Sequence, residues 1–334
     1  MKITKRNKKK LKGVIYNIGM LKFYIVSSGR DQDAAFSLDM GVLHTFADGN
    51  TSIVNRQKKY GDVIKRTGCF LDSGAFTFGK YQQSEEQKKN YLERYIDFIN
   101  SDINNYNVYA QLDMTSYNDW NMEIIQENAD RTFENYQYMI ERVKNPEKLC
   151  IVFHCHKESL DDLKRLLEYK SPTGKRAGYL GLAGAFKATS QQKVRIFEKC
   201  FNVILNSSYP DIKVHALGIG QPEILMRLPF TSCDSATAVK CGAYGQILYW
   251  RPEHGIYTRV FIGDLSYNRK RGNYLQMPKR ELADFQSYIK EYGTTLDELK
   301  ADTFAKKVFN IKVTKLFAEQ YKCNYKKIYN KKLF

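Results

Sequence analysis

The sequence predicts an α/β protein: a (β/α)8 TIM-like barrel with a C-terminal basic β-hairpin and helical extension. Three observations lead there. Short β-like apolar runs alternate with longer helical patterns, which implies a parallel sheet. Most of those runs end at or beside Asp, Gly, Ser or His, as strands do when their C-terminal ends line a site. No Gly-rich dinucleotide turn follows the first strand, and Gly218-Ile219-Gly220 lacks a third glycine at the needed spacing, which disfavours a doubly wound sheet.

Seven strands are expected in order: 22–28, 69–72, 108–113, 150–155, 179–183, 213–218 and 231–234. Between them, residues 84–100 open with Ser-Glu-Glu-Gln, an N-cap with acidic residues in the first turn. Tyr91, Tyr95, Ile96, Phe98 and Ile99 form its apolar stripe. Residues 129–143, 160–169 and 191–205 read as further helices, and 222–227 as a short one with Pro222 in its first turn. Beyond Cys241 the pattern changes. Residues 246–250 and 257–262 read as a strand pair around Arg251-Pro252-Glu253-His254-Gly255. A basic loop and helices over 279–292 and 296–321 follow. Residues 1–240 thus form the expected barrel core, and 241–334 a basic extension packed on it.

The net charge of +17, from 53 Lys+Arg against 36 Asp+Glu, points to a polyanionic partner such as nucleic acid. Frequent Lys, Asn and Tyr also fit an AT-rich coding bias. The basic N-terminus Met1–Lys12, the Arg269–Arg271 loop and the lysine- and tyrosine-rich tail are the expected phosphate contacts. No apolar run reaches the roughly 18–20 residues of a membrane span, and no signal-peptide pattern follows the basic start. Seven cysteines without a CxxC pair fit a reduced cytoplasmic protein with neither a disulfide framework nor a zinc ribbon.

Five motifs carry the candidate chemistry. In Leu71-Asp72-Ser73-Gly74-Ala75-Phe76, a strand-end carboxylate precedes a small-residue turn, with Phe76 as a stacking face; the bland alternative is a capped β–α turn. In Gln111-Leu112-Asp113, the carboxylate could accept two N–H donors from a guanine-like edge, or cap the next helix. In Phe153-His154-Cys155-His156, strand alternation turns His154 and His156 to one face and Cys155 away, favouring a polar pocket wall over a metal site. The glycines of Gly178-Tyr179-Leu180-Gly181-Leu182-Ala183-Gly184 either free backbone groups for a flat ligand or allow close strand packing. The segment from Val214 to Glu223 gives a Gly-rich rim, and Cys233-Asp234-Ser235 adds another strand-end carboxylate, or a second helix cap.

In this order, the five motifs resemble the tRNA-guanine transglycosylase superfamily. The closer likeness is to its phage and bacterial DNA-modifying branch, the DpdA-like transglycosylases that place 7-deazaguanines in DNA. The likeness spans about Cys69 to Thr237. It implies Asp234 as the nucleophile and Asp72 as general acid/base. It also implies a base site with Asp113 on the guanine edge, Ser73 beside Asp72, Phe76 stacking, and the backbone of Gly181 and Leu182 against the base. Leu217 would take the opposite face, and His154 stands where the tRNA enzymes carry Gln. No cofactor is implied. The tRNA enzymes' zinc site, Cys-x-Cys-x-x-Cys plus His, has no counterpart here, since only Cys241, His254 and Cys323 follow Asp234; no metal is expected. Ser-Ala-Thr-Ala after Asp234 replaces the tRNA enzymes' Pro-Thr-Arg. The expected partners are DNA, with tRNA as the alternative, and a free 7-deazaguanine such as preQ0. A homodimer is allowed, and a phage-encoded copy would work in the host cytoplasm. Competing readings are a catalytically silent nucleic-acid-binding barrel and a hydrolytic glycosidase.

Overall fold

A computed structural model describes residues 21–48, 50–78, 83–101, 106–114, 120–184, 188–263 and 272–323, without the side chains of residues 48, 50–53 and 76. Eight parallel strands close into a barrel in sequence order. They are β1 (Lys22–Val26), β2 (Gly41–Thr45), β3 (Cys69–Asp72), β4 (Val108–Ala110), β5 (Leu149–His154), β6 (Tyr179–Ala183), β7 (Lys213–Ala216) and β8 (Ser232–Ser235). Closure is parallel, with Tyr24 opposite Asp234 in the β1–β8 register. The strand absent from the sequence reading is β2. It is only five residues long and follows Leu38-Asp39-Met40, with no Gly- or Pro-based turn to announce it, but Val42 and Leu43 are buried as a barrel strand requires.

Side-chain alternation divides the core in two. Tyr24, Leu43, Phe70, Val108, Ala110, Cys150 and Val152 fill the barrel interior. Ile25, Leu71, Tyr109, Ile151, Phe153, Leu180 and Cys233 point outward to the helices. This parity decides the site. Asp72 shares a face with Phe70, His154 with Val152, and Asp234 lies beside outward-facing Cys233; all three turn to the interior at the C-terminal ends of their strands.

The helical layer comprises α1 (Arg30–Ser37), α2 (Asn50–Thr67), α3 (Ala75–Phe78), α4 (Glu85–Asn100), α5 (Met122–Arg142), α6 (Leu160–Glu168), α7 (Ser190–Asn206), α8 (Pro222–Leu225) and α9 (Thr237–Ala243). Ser84, Ser159 and Thr189 each form a capping box at the start of α4, α6 and α7, which satisfies N–H groups the helix leaves unpaired. The expected helix at 129–143 begins seven residues earlier, at Met122 with Asn121 as its cap.

Beyond the barrel, β9 (Gln246–Arg251) and β10 (Ile256–Phe261) pair antiparallel. Helices α10 (Lys279–Glu291), α11 (Leu296–Ala301) and α12 (Thr303–Gln320) follow. The single helix expected over 296–321 is broken at Asp302, whose carboxylate caps α12 at the Phe304 N–H, 2.8 Å away. Helix α12 buries residues on several sides, among them Phe309, Ile311, Val313 and Phe317, as a helix enclosed between layers does. Buried Asn310 ties it to α9 and β9: its amide donates to the carbonyls of Ala238 (3.0 Å) and Gln246 (3.1 Å) and accepts the Leu248 N–H (2.7 Å). Lys307 reaches Asp31 of α1 at 2.8 Å. The extension thereby covers the seam between β8 and β1. Among the described residues no helix is long and apolar enough to cross a membrane.

Candidate active site at the barrel rim

Asp72 ends β3, and its Oδ2 accepts the Gly74 N–H at 3.1 Å. Gly74 has φ +77°, and a Cβ there would lie 2.8 Å from both Ala47 Cβ and the Tyr91 hydroxyl, so the turn requires glycine. Helix α4 fixes this strand end from behind. Tyr95 donates to the Ala110 carbonyl at 2.7 Å, and Tyr91 to the Ser73 carbonyl at 2.6 Å. Burial pushes the Asp72 carboxyl up to about 7; the charges of Asp113 and Asp234 add to the rise, and hydrogen bonds from Gly74 and Thr45 oppose it. Asp72 therefore senses both other carboxylates, one from each side of the rim. Ser73 Oγ is fully buried without a hydrogen-bond partner.

Asp113 follows β4 on a loop held by α5. Thr132 Oγ1 accepts the Met114 N–H at 2.8 Å, and Asn135 donates to the Leu112 carbonyl at 2.9 Å. Asp113 caps no helix, since Asn121 caps α5. Its Oδ2 instead meets His154 Nε2 at 2.9 Å. On the other side of the ring, His154 Nδ1 lies 2.5 Å from Glu158. Burial opposes the imidazolium, but the Glu158 and Asp113 carboxylates outweigh it and push His154 up to about 10. The strand ends at His154, so His156 belongs to the following turn. It packs against Gly184 and the edge of Trp120, with ring centroids 5.9 Å apart.

Asp234 is buried at the end of β8. Its Oδ1 accepts from His215 Nε2 at 3.0 Å and from the Gly218 N–H at 2.9 Å. It does not cap α9, whose start carries no side-chain cap. His215 is fully buried on β7. Its Nδ1 lies 2.8 Å from Ser232 Oγ, and its ring packs on Phe70 (4.5 Å between centroids) and Tyr24 (6.1 Å). Because a carboxylate only accepts, Nε2 carries the proton shared with Asp234.

Gly178, just before β6, and Gly181 within it play different parts. A Cβ at Gly178 would stand 2.0 Å from the Glu147 carbonyl oxygen, so that glycine serves strand packing. A Cβ at Gly181 would instead meet Leu217 Cδ1 at 2.6 Å and Cys150 Sγ at 3.1 Å. Gly181 and half-buried Leu217 thus share one interior surface, while Leu182 points outward into the core under the helices. Its side chain leaves only its backbone for any contact with a base.

The structure therefore gathers Asp72, Asp113, His154, Asp234, Gly181 and Leu217 at one end of the barrel. The Phe76 side chain, the N-terminal lysines, the Arg269–Arg271 loop and the tail beyond Cys323 lie outside the described residues. Three participants went unassigned in the sequence reading. Glu158 follows His154 by four residues, a spacing that brings it back onto the ring across one turn. His215 stands two residues before Leu217 on the inward face of its strand. Thr45 lies opposite Asp72 on the unrecognised β2. Among the described residues, no group of three or more His, Cys, Asp and Glu is arranged to hold a metal ion. A groove of about 890 Å³ between α4 and α5 lies outside the barrel behind the Asp113 loop and contains none of these carboxylates. Its charged wall is paired surface, with Arg131 bridging Glu85 and Glu127 at 2.9 Å each.

No family model matches the chain, and no curated protein matches it.

Proposed function

We propose that this protein is a pentosyltransferase that exchanges guanine in DNA for a 7-deazaguanine base through a covalent glycosyl-aspartate. One observation carries the reading. Asp72 is held near neutrality by burial and by two further strand-end carboxylates, while Asp234 is fixed through Oδ1 by His215 and Gly218. One carboxyl that gains and loses a proton near pH 7, beside one kept in place as an acceptor, is the division of labour that retaining glycosyl transfer needs.

In this mechanism Asp234 Oδ2 attacks C1′ as the bond from C1′ to N9 of guanine breaks. The bonding pair leaves with the base, and protonated Asp72 supplies the proton that makes guanine neutral. The incoming base then attacks C1′ through N9, Asp72 takes the N9 proton, and the ester bond to Asp234 breaks. Two inversions retain the configuration. Asp113 accepts N–H donors of the base edge, and the Gly181–Leu217 surface packs on its face. A base in a duplex must leave the stack to reach this position, at a cost of roughly a few kcal/mol. The +17 net charge supports a nucleic-acid substrate over a free nucleoside or sugar.

The test is incubation with a labelled 7-deazaguanine and either duplex DNA or tRNA, scoring which polymer gains label. Label in DNA that disappears in Asp234→Asn, together with the trapped adduct, supports the reading. Label in tRNA alone moves the substrate to RNA. Full exchange by Asp234→Asn removes the nucleophile assignment.

A further inference from the structure

Glu158 is a buried carboxylate outside the five motifs. Its N–H donates to the His154 carbonyl at 3.0 Å, so a single turn after β5 folds it back onto the last residue of its own strand. Its side chain is 5% exposed, that of His154 3% and that of Asp113 11%. Groups this deep need charged or hydrogen-bonding partners, and His154 supplies one ring nitrogen to each of the two carboxylates. The two contacts leave the ring no rotational freedom, and they engage Asp113 through Oδ2. Among the described residues Oδ1 carries no hydrogen bond.

Resting on the transglycosylase reading, we infer that Glu158 is a positioning residue. Acting through His154, it holds Asp113 oriented as the acceptor for a purine edge with two adjacent N–H donors, as in a 2-amino-6-oxopurine. Such an edge offers parallel N–H groups to a carboxylate, and a site built for them rejects an analogue lacking one. Asp72 faces the same space from the neighbouring strand β3, and Asp234 acts on Asp72 from β8. His156 lies on the following turn, and the thiols of Cys150 and Cys155 are buried beside Asp113 and Glu158 respectively. The imidazolium sits within this carboxylate-rich set, and removing the Glu158 charge makes its proton easier to lose.

The experiment is calorimetric binding of free guanine, hypoxanthine and adenine to the full chain between pH 6 and 8, with the His154 ring nitrogens followed by NMR. Asp72 titrates near 7 in the same space, so each variant is compared with wild type at the same pH; wild type should bind guanine at least about tenfold more tightly than hypoxanthine at every pH. Glu158→Gln should match wild type at pH 6. By pH 8 it should lose about tenfold in guanine affinity and most of its preference over hypoxanthine, as His154 becomes neutral. His154→Gln, which can keep a donor to Asp113 but cannot titrate, should bind guanine at a ratio to wild type that does not change with pH, and guards against misfolding of the first variant. Unchanged affinity and selectivity in Glu158→Gln at pH 8 would overturn the inference. Wild type that binds no purine would overturn the base assignment for Asp113. If His154 is then still doubly protonated at pH 8 only when Glu158 is present, the failure lies in the transglycosylase reading, not in the coupling of the three side chains.

Discussion

His215 Nε2 lies 3.0 Å from Asp234 Oδ1, and Phe70 and Tyr24 close on the imidazole so that it cannot swing away. In the proposed reaction the nucleophilic carboxylate must be held with one oxygen aimed at C1′. His215 and the Gly218 N–H do this by occupying the other oxygen. His215→Ala should leave Asp234 held at Oδ1 by the Gly218 N–H alone, and misplacement by about 1 Å costs about a hundredfold in rate. The expected result is adduct formation slowed about tenfold to a hundredfold in single turnover, with base binding unchanged. Loss of base affinity in equal measure would assign His215 to binding instead.

Asp72 makes the pH dependence distinctive. Its carboxyl titrates near pH 7 when folded and near 4 when unfolded. Between these values the folded chain holds a proton that the unfolded chain has released, so stability falls as pH rises from about 4 to about 7. Asp72→Asn removes this dependence. It should raise the unfolding temperature at pH 8, by up to a few kcal/mol in free energy, and leave it nearly unchanged at pH 4. The same substitution should abolish exchange. Wild-type exchange should peak near pH 7 and fall on both sides, since one half-reaction needs the acid and the other the base. Thermal melts and rate profiles across pH 4–9 check both statements.

Gly178 and Gly181 separate packing from function. Gly178→Ala drives a methyl group into the Glu147 backbone, and should cost about 1–3 kcal/mol of stability or more as overpacking with little room to relax. Gly181→Ala meets instead the mobile end of Leu217, which can turn aside. That variant should fold at near wild-type stability, yet bind free guanine about tenfold more weakly because Leu217 moves into the base space. Denaturant unfolding and base titration of both variants distinguish the two.

The barrel and its carboxylates were legible because they depend on local periodicity. Strand parity turns Phe70 and Asp72 one way and Leu71 the other, and that needs only the order of residues. The second strand was not legible: Gly41–Thr45 earns its place by pairing with β1 and β3, and no local turn chemistry announces it. The break at Asp302 was missed because helical apolar spacing continues through it, while the caps at Thr295 and Asp302 set the real boundaries. At the site, strand ends gave the aspartates. The partners that orient them, Glu158 and His215, come from a turn and from a neighbouring strand. Which carboxylate an imidazole meets is fixed by tertiary packing, and neither spacing nor composition contains it.

Trp120 tests how the polymer approaches. Its indole is 64% exposed, unlike the buried aromatic residues of the core. It stands on the loop before α5, edge to His156 with Lys157 Nζ 5.2 Å from the ring centroid. At the mouth of the proposed base pocket, an exposed indole beside a cation would offer a stacking face to a neighbouring nucleotide, worth about 1–3 kcal/mol per base. Trp120→Ala should therefore weaken binding of an oligonucleotide about tenfold or more. Affinity for the free base should be unaffected, because the indole lies outside the ring of carboxylates. The salt dependence of oligonucleotide binding should also keep its slope, since stacking releases no counterions, whereas removing a phosphate-contacting lysine would lower it. Fluorescence anisotropy over a salt series measures both quantities. Equal losses for free base and polymer would place Trp120 inside the pocket, and a changed slope with little loss of affinity would assign the local effect to Lys157.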